Sequence, residues 1–305
     1  MMIDLPIRRG YEGANRVSTT QFLRMRPLWL NYNGSEKLTD FQVKCVLTQS
    51  DIPFEKLRAD KQDLLFVDSN NEVIPYWIEK TDSSEIVVWL KFSEIIPGKE
   101  LFWLYYGNGN FSGLSDGDSI FEFFDGFEGT SLDTNKWNLV KGTEGSDVFV
   151  ENGELKVTTN KVLIQSVQSF SQGYSLESKH RVISHTDYGH IILGFRETTS
   201  KNAEHLIWDA GNRLYADGSP IGGSYAVPTD TYHLFQVKVK DNTAKAEIYD
   251  MNGNQKDSIS GTATFSSAVI TLVERPANYN AGGIDARWDW IRVRKYTEPE
   301  PVVLT

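Results

Sequence analysis

The chain has 305 residues, enough for one large domain or two of medium size. Hydrophobic residues make up 40% of it and charged residues 24%, as in an ordinary globular protein. The net charge of −10 disfavours a general nucleic-acid binder, which needs a basic surface. No run of eighteen apolar residues occurs, and the single cysteine, Cys45, excludes a disulfide framework or a cysteine-rich zinc cluster.

Residues 1–26 form a basic arm. They contain five arginines and two acidic residues, whereas the rest of the chain is strongly acidic. No apolar run of seven or more residues follows the arginines, so the arm does not have the pattern of a secretory signal peptide. We expect an arm that is either solvated or docked on another subunit of a possible homo-oligomer.

Residues 27–112 are predicted to form an antiparallel β-sandwich. Short runs rich in β-branched and aromatic residues alternate with turn residues, and they predict strands at 43–47, 64–67, 85–90 and 101–106. The one helical signal lies near residues 54–61. Trp29, Trp77, Trp89 and Trp103 occupy apolar strand positions and are expected in the core, as is Cys45.

A second β domain follows a linker. Glycine and aspartate crowd residues 107–118, which places the linker at 113–120, a second domain at 121–297 and an acidic Pro-containing tail at 298–305. Alternating runs predict strands in the second domain at 153–158, 174–183, 190–197, 205–209, 233–240, 243–249, 268–273 and 286–296. This many strands in about 175 residues indicates a two-sheet jelly roll, and hence an all-β protein of two consecutive antiparallel sandwiches.

The first domain resembles a known family. The segments that carry the resemblance are residues 26–30 (RPLWL), 38–43 (LTDFQV), 63–66, 74–79, 88–91 and 104–108 (LYYGN). Taken in this order, they resemble the domain of unknown function 2341 over residues 26–110. The resemblance implies a module of surface and secreted proteins and implies no enzymatic role.

The second domain is similar to the concanavalin A-like lectin and glucanase superfamily over residues 120–297. The similarity rests on an opening segment at 121–127 (FEFFDGF), on 132–133, 136–137 and 150–155, and on the closing segment at 288–296 (WDWIRVRKY). It implies a jelly roll with a glycan cleft on its concave sheet. Members include glycosidases, lyases, lectins and spacer domains, so the resemblance by itself fixes no activity.

The acidic residues do not form a glucanase motif. A retaining glycosidase needs two carboxyl groups about 5–5.5 Å apart, and the family provides them with a Glu-x-Asp-x-x-Glu strand. The nearest segment, Glu247 to Asp250, has the wrong spacing and runs into a turn, while Glu177, Glu197 and Glu274 stand alone. Scattered histidines and the absence of a Gly-x-Ser-x-Gly turn favour neither a zinc centre nor a serine hydrolase. We therefore expect no catalytic residues.

A structural calcium ion is the cofactor that the superfamily resemblance implies. In glucanase-like jelly rolls such an ion uses an aspartate of the last strand and oxygens of the opening region, as suits a hard cation. The matching positions here are Asp289, Asp125, Glu128 and the carbonyl of Gly153. The alternative is that Asp289 caps a turn or pairs with Arg287 or Arg292.

A glycan site is predicted between residues 188 and 225. Sugar binding needs aromatic faces for stacking and polar side chains for hydroxyl groups. The predicted contact residues are Tyr188, Arg196, Trp208, Asn212, Tyr215 and Tyr225. The alternative is that the aromatic residues belong to the sandwich core.

The sequence therefore favours a non-catalytic surface or virion structural protein that binds a cell-surface or extracellular glycan through its second domain and assembles with other subunits. It would face the outside of a cell or virus particle, with no nucleic-acid partner and no insertion into a membrane. The alternatives are a polysaccharide hydrolase or lyase with an accessory sandwich, and a structural filament or envelope subunit without a ligand.

Overall fold

The chain divides into two compact units. The computed structural model describes residues 18–185, 191–197, 200–208, 211–273 and 283–305. Unit 1 comprises Met1–Ile120 together with Pro299–Thr305, and unit 2 comprises Phe121–Glu298. Unit 1 is thus built from two separate stretches of chain. The helices of the described residues are single turns, and none is long and apolar enough to cross a membrane.

Unit 1 is a small sandwich of two antiparallel sheets. Its strands are β1 (Arg24–Tyr32), β2 (Leu38–Thr48), β3 (Leu64–Val67), β4 (Tyr76–Thr81), β5 (Glu85–Ile95), β6 (Gly98–Tyr106) and the last strand of the chain, β22 (Val302–Leu304). Short helical turns lie at Thr19–Gln21, Phe54–Lys56 and Gly117–Ile120. One sheet has the order β22-β1-β6-β3 and the other has the order β2-β5-β4. Alternate residues of each strand, such as Leu28 and Leu30 or Val43 and Cys45, fill the space between the two sheets.

Unit 2 is a larger sandwich. Its strands are β7 (Phe123–Asp125), β8 (Trp137–Lys141), β9 (Val148–Glu151), β10 (Glu154–Thr159), β11 (Leu163–Phe170), β12 (Tyr174–His185), β13 (Ile191–Glu197), β14 (Ser200–Trp208), β15 (Gly211–Ala216), β16 (Ser219–Gly222), β17 (His233–Lys240), β18 (Thr243–Asp250), β19 (Gln255–Thr262), β20 (Ala268–Leu272) and β21 (Gly283–Lys295). The eight-stranded sheet has the order β19-β18-β17-β12-β21-β10-β9, with β7 also paired to β21. The seven-stranded sheet has the order β16-β15-β14-β13-β20-β11-β8.

The core of unit 2 lies between these sheets. Phe235 and Val237 of β17 point into it, whereas the intervening Gln236 and Lys238 point outward, and Leu193 and Phe195 come from the other sheet. The all-β class and the two antiparallel sandwiches predicted from the alternating sequence are therefore confirmed. Trp137 and Trp288, from the first and last parts of the unit, are both fully buried in this core.

Three features of unit 1 differ from the expectation. The predicted arm of residues 1–26 overlaps β1, because the described part of the chain is already a strand from Arg24; residues 1–17 lie outside the described residues. The predicted tail of residues 298–305 contains β22, which pairs with β1 at the edge of the four-stranded sheet. Trp29, expected in the core, is 44% exposed because β1 turns Leu28 and Leu30 inward instead.

Candidate functional site

The outward face of the seven-stranded sheet in unit 2 carries a cluster of polar and aromatic side chains. Because Leu193 and Phe195 of β13 point into the core, the alternate residues Gly194 and Arg196 face outward. On β15, Leu214 points inward, and Arg213 and Tyr215 face outward. The alternation of these strands thus places two arginines and a tyrosine on one surface.

A buried ion pair occupies the centre of this face. Glu204 of β14 lies directly across from Gly194, and its carboxylate accepts a hydrogen bond from Nε of Arg196. Both side chains are buried, with 7% of Arg196 and none of Glu204 exposed. Gly194 provides the space, since a Cβ atom there would lie 2.4 Å from the carbonyl oxygen of Ala203 and 2.5 Å from Cα of Glu204.

Tyr215 lies beside this pair on the next strand. It is the cross-strand neighbour of Glu204, and it is partly exposed. The guanidinium of Arg213 lies 6.0 Å from the centre of the Tyr215 ring. The face therefore combines an aromatic ring with charged hydrogen-bonding groups, which is the combination that sugar recognition requires.

Uncharged polar groups continue the face across β20 and β11. Thr271 is paired with Gly194 in the β13–β20 register, and Nε2 of Gln165 donates to its hydroxyl oxygen at 3.5 Å. Asn138 of β8 lies next to Gln165. A row of hydrogen-bonding side chains thus extends from the Arg196–Glu204 pair towards the edge of the sheet.

The acidic side chains of this sheet do not form a catalytic pair. Among the strand residues of the sheet whose side chains are described, the carboxylates are Glu197 and Glu204. By the alternation along β13, Glu197 lies on the opposite side of the sheet from Arg196. It lies at the strand end and accepts a 3.5 Å hydrogen bond from the hydroxyl of Ser266. The described part of the sheet therefore presents one carboxylate outward, and an arginine binds it.

The predicted glycan residues separate into two groups. Arg196 and Tyr215 share the outward face, whereas Asn212 is fully buried and cannot reach a ligand, contrary to the prediction. Tyr188 lies outside the described residues, and so does the side chain of Trp208, the last residue of β14.

Asn212 and Tyr225 belong to a structural network at one end of the sandwich. Nδ2 of Asn212 donates to Oδ2 of Asp257 at 2.9 Å and to the backbone oxygen of Tyr225 at 2.8 Å. The same carboxylate accepts the backbone N–H groups of Ser224 and Tyr225 at 2.7 and 2.9 Å. Asp257 thus fixes the segment after β16 to the sandwich, which explains why Asn212 is buried.

The hydroxyl of Tyr225 completes this network at His233. Nδ1 of His233 faces the carbonyl oxygen of Thr231 at 3.0 Å, so it carries the proton, and Nε2 accepts from the Tyr225 hydroxyl at 2.9 Å. Burial lowers the pKa of His233, although the bond to Thr231 opposes this effect. A neutral, buried histidine with both nitrogens bonded is a packing element.

The predicted calcium ligands do not converge. Asp125 is paired with the core residue Ile291 and points inward, where its carboxylate accepts from Nε1 of Trp137 at 2.6 Å and from the backbone N–H of Phe127 at 2.8 Å. Asp289 lies on the outward side and forms an ion pair with Lys179 at 2.6 Å. Two carboxylates on opposite faces of a sheet cannot bind one ion.

The two other predicted calcium ligands are on turns. Gly153, with φ of +72°, forms the turn between β9 and β10, and Glu128 is exposed after β7. Within the described residues, no group of three or more metal-binding side chains occurs. The two predicted aspartates are therefore held apart by contacts inside the fold, and the calcium ion stays a prediction of the resemblance.

The remaining acidic residues singled out from the sequence serve the eight-stranded sheet. Glu177 is fully buried between Arg292 and Arg294, at 2.7 and 2.6 Å. Glu247 pairs with Lys238 and Lys245, both at 2.7 Å. These carboxylates bind cations on the outer side of that sheet and form no pair with each other.

Glu204 is the residue of the face that the sequence prediction missed. The predicted strand begins at His205, five residues after the observed start of β14 at Ser200, so it does not include Glu204. The segment Ala-Glu-His-Leu-Ile-Trp at 203–208 carries the signal, because Ala203 points inward and Glu204 must then face outward.

Comparison with known proteins gives one family match. The model for the domain of unknown function DUF2341 matches residues 60–140, about a quarter of the chain. The expected resemblance is confirmed, although the match begins and ends later than residues 26–110. No curated protein matches the chain.

Solved structures similar to the chain include three glycoside-hydrolase-type proteins. A glycosyl hydrolase family protein of Mycobacterium fortuitum is 18% identical, with a TM-score of 0.41, and covers 57% of this chain and 99% of its own. A β-glucanase of Bacillus licheniformis is 15% identical, with a TM-score of 0.42, and covers 57% and 98%. A pseudo β-1,3-glucanase of Mycobacterium tuberculosis is 13% identical, with a TM-score of 0.42, and covers 58% and 99%.

Proposed function

We propose that the protein is a non-catalytic glycan-binding protein of a cell or virus surface, and that it binds glycan on the outward face of the seven-stranded sheet. The observation that supports this proposal is the ion pair between Arg196 and Glu204 at the centre of the face.

The ion pair disfavours hydrolysis. Retaining and inverting glycosidases both require two carboxyl groups, one of which donates a proton to the leaving group. The carboxylate of Glu204 accepts a hydrogen bond from Nε of Arg196, so it is already bound to a cation and both side chains are buried. Among the described strand residues of the sheet, no second carboxylate lies on the same side as Glu204. The pair of carboxyl groups that hydrolysis requires is therefore absent among them.

The same face is suited to binding. A pyranose ring can stack on Tyr215, while Arg213 and Gln165 offer donors and acceptors to its hydroxyl groups. Because the Arg196–Glu204 pair is held rigidly by the sheet, it presents fixed charges at the base of this surface. Such preorganisation reduces the entropy lost on binding.

Glycan-array binding tests the proposal. We expect the parent protein to bind at least one class of glycan, Tyr215→Ala to weaken that binding about tenfold or more, and Tyr215→Phe to keep most of it, because stacking needs only the ring. Val140→Ala, at an exposed position of the same sheet, is the matched control. If Tyr215→Ala binds glycan like the parent, the site lies elsewhere. If the parent binds no glycan on the array, the glycan-binding proposal is wrong and a purely structural role is favoured.

A polysaccharide hydrolase is the second candidate, because Glu204 is a carboxylate in the middle of this face. Its test is the release of reducing sugars from a polysaccharide panel by the parent protein and by Glu204→Gln. We expect no release above the blank from either protein. Release by the parent that disappears in Glu204→Gln, with the fold intact, would identify Glu204 as a catalytic residue and overturn the non-catalytic proposal.

A further inference from the structure

The four-stranded sheet of unit 1 has an outward face made of apolar side chains. The inward residues of β1 and β6 fill the core, so the alternate residues face away from it: Met25 and Trp29 of β1, Leu101 and Trp103 of β6, and Val302 and Leu304 of β22. In the register, Leu304, Trp29 and Leu101 form one continuous row across three strands. We call these six residues the apolar face.

The chain itself covers one half of this sheet. On the side of β3, Phe22 and Phe111 pack over the sheet, with their ring centres 5.1 Å apart. They bury Leu65, Val67 and Tyr105. The other half is open. Met25, Trp29, Val302 and Leu304 are between 42% and 46% exposed, and Leu23, just before β1, is 78% exposed.

The outward side of the other sheet of unit 1 differs from this open half. Its apolar side chains Val87 and Trp89 are buried, and on the same side Nε2 of Gln42 donates to the backbone oxygen of Ile120 at 2.8 Å. The chain therefore covers these two apolar residues of that sheet, whereas Trp29 and Leu304 stay open.

The exposed area is large enough for an interface. With large side chains of roughly 200 Å² each, the open residues amount to roughly 500 Å² of apolar surface, near the upper end of what monomers expose. Two copies packed on this face would together bury roughly 1,000 Å², the lower limit for a specific interface, which fits an association that depends on concentration.

We propose that a second copy of this chain covers the apolar face, by packing of the two four-stranded sheets against each other around a two-fold axis. Sheets commonly pack face to face about 10 Å apart, and a two-fold interface requires a surface that is complementary to itself. A face of Trp, Met, Leu and Val meets this requirement, since an identical face offers it apolar atoms. The polar residues on the same side, Asn31 and Lys99, lie together in the row of Val302, next to the row of Leu304, Trp29 and Leu101. The three-residue strand β22 lies at the edge of this face, and Trp29 near its middle is the expected anchor.

Sedimentation velocity over a range of concentrations tests the proposal on the full chain. We expect the mass to rise from 34.6 kDa towards twice that value with increasing concentration. Trp29→Glu and, independently, Leu304→Glu should each weaken association at least about tenfold, because each buries a charge in the interface. Val46→Glu, at an exposed apolar position of the other sheet, should associate like the parent. Far-UV circular dichroism and thermal melting establish that each variant is folded.

A mixing experiment distinguishes face-to-face packing from any other dimer. Trp29→Glu and Trp29→Lys should each be monomeric alone and should associate when mixed, because opposite charges then meet across the two-fold axis. A parent protein that is monomeric at every concentration would mean that something other than a second copy covers the face. Association that survives both Trp29→Glu and Leu304→Glu would place the dimer on another surface. Either result would overturn the proposal.

Discussion

Glu177 joins two arginines on the outer side of the eight-stranded sheet, where all three charged side chains are buried. Its carboxylate accepts from Nη2 of Arg292, from Nε of Arg294 and from the hydroxyl of Ser175 at 2.9 Å. Burial by itself would raise the pKa of Glu177, but the charges of Arg294 and Arg292 and the hydrogen bonds outweigh it and lower the pKa to about 2. The carboxylate is therefore bound as an anion.

Replacing Glu177 by Gln should destabilise unit 2 by about 3–5 kcal/mol at neutral pH, because two buried guanidinium groups lose their counter-charge. The folded-state pKa lies below the ordinary value of 4.5, so this stabilisation is complete above pH 4.5 and is lost as the pH falls towards 2. Urea denaturation of both proteins at several pH values measures the difference, which should shrink in acid.

Glu151→Gln is the control for this prediction. Glu151 forms a 3.3 Å ion pair with Lys156 at a largely exposed position, and such pairs contribute at most about 1 kcal/mol. A difference between parent and Glu177→Gln that does not depend on pH would show that the carboxylate acts through its shape and not through its charge.

His233 should give a second pH effect on stability. As for Glu177, stability should fall as the pH is lowered. Burial lowers its pKa below the ordinary 6.5, so the folded state binds fewer protons than the unfolded chain, and stability falls as the pH drops below 6.5. Tyr225→Phe removes the hydroxyl that donates a hydrogen bond to Nε2 of His233. It should reduce the free energy of unfolding by about 1 kcal/mol at neutral pH. Thermal melting at neutral and mildly acidic pH measures both effects, with Tyr215→Phe as the control. An unchanged melting temperature in Tyr225→Phe would contradict this network.

At the scale of elements, β13 depends on a glycine. A methyl group at position 194 would lie within 2.5 Å of the backbone of β14, which cannot move without breaking the ladder. Gly194→Ala should therefore destabilise unit 2 by about 1–3 kcal/mol through overpacking.

Gly222→Ala is the matched control for Gly194, because Gly222 lies on a strand of the same sheet and an added Cβ atom there meets nothing within 4 Å. Chemical denaturation measures both changes. Equal stability of the two variants would show that the strands separate freely at Gly194 and that the close approach is not essential.

The longer strands could be predicted from the sequence because their alternation is regular. The strand β17 was predicted at its observed bounds, since Phe235 and Val237 alternate with Gln236 and Lys238. Alternation cannot reveal a strand that is apolar on both sides. The strand β1 has Leu28 and Leu30 inward and Met25 and Trp29 outward, so the sequence pattern places Trp29 in the core and the first three residues of the strand in an arm.

Two of the six predicted glycan residues lie together in the structure. Arg196 and Tyr215 share the outward face of the seven-stranded sheet because alternation along their strands sets their side, and their contact with a glycan stays a prediction. Asn212 was predicted to contact a glycan and Asp125 to bind calcium, but both form hydrogen bonds within the protein. Their partners, Asp257 and Trp137, lie 45 and 12 residues away along the chain. Such pairings depend on tertiary structure, which a local pattern does not contain.

At the scale of the whole molecule, the sandwich of unit 1 depends on the end of the chain. Val303 of β22 packs against the core of unit 1, and β22 pairs with β1 from Trp29 to Asn31. Val303→Asp should therefore loosen unit 1 and leave unit 2 unchanged, while Leu304→Asp, which faces outward, should have a much smaller effect on the monomer.

Hydrogen exchange measured by mass spectrometry resolves these effects. We expect faster exchange in β1 and β6 of Val303→Asp and parent-like exchange in β12 and β17. Faster exchange in both units would show that they unfold together. Unchanged exchange in β1 would show that β22 contributes no stability.

The division of unit 1 into residues 1–120 and 299–305 has a consequence for biosynthesis. A ribosome releases the chain from its N-terminus, so six strands of unit 1 emerge long before β22, their last partner. Unit 2, by contrast, is one uninterrupted stretch of chain, Phe121–Glu298. The edge of β1 that β22 covers therefore stays unpaired until residues 299–305 have left the ribosome, after all of unit 2 has been synthesised.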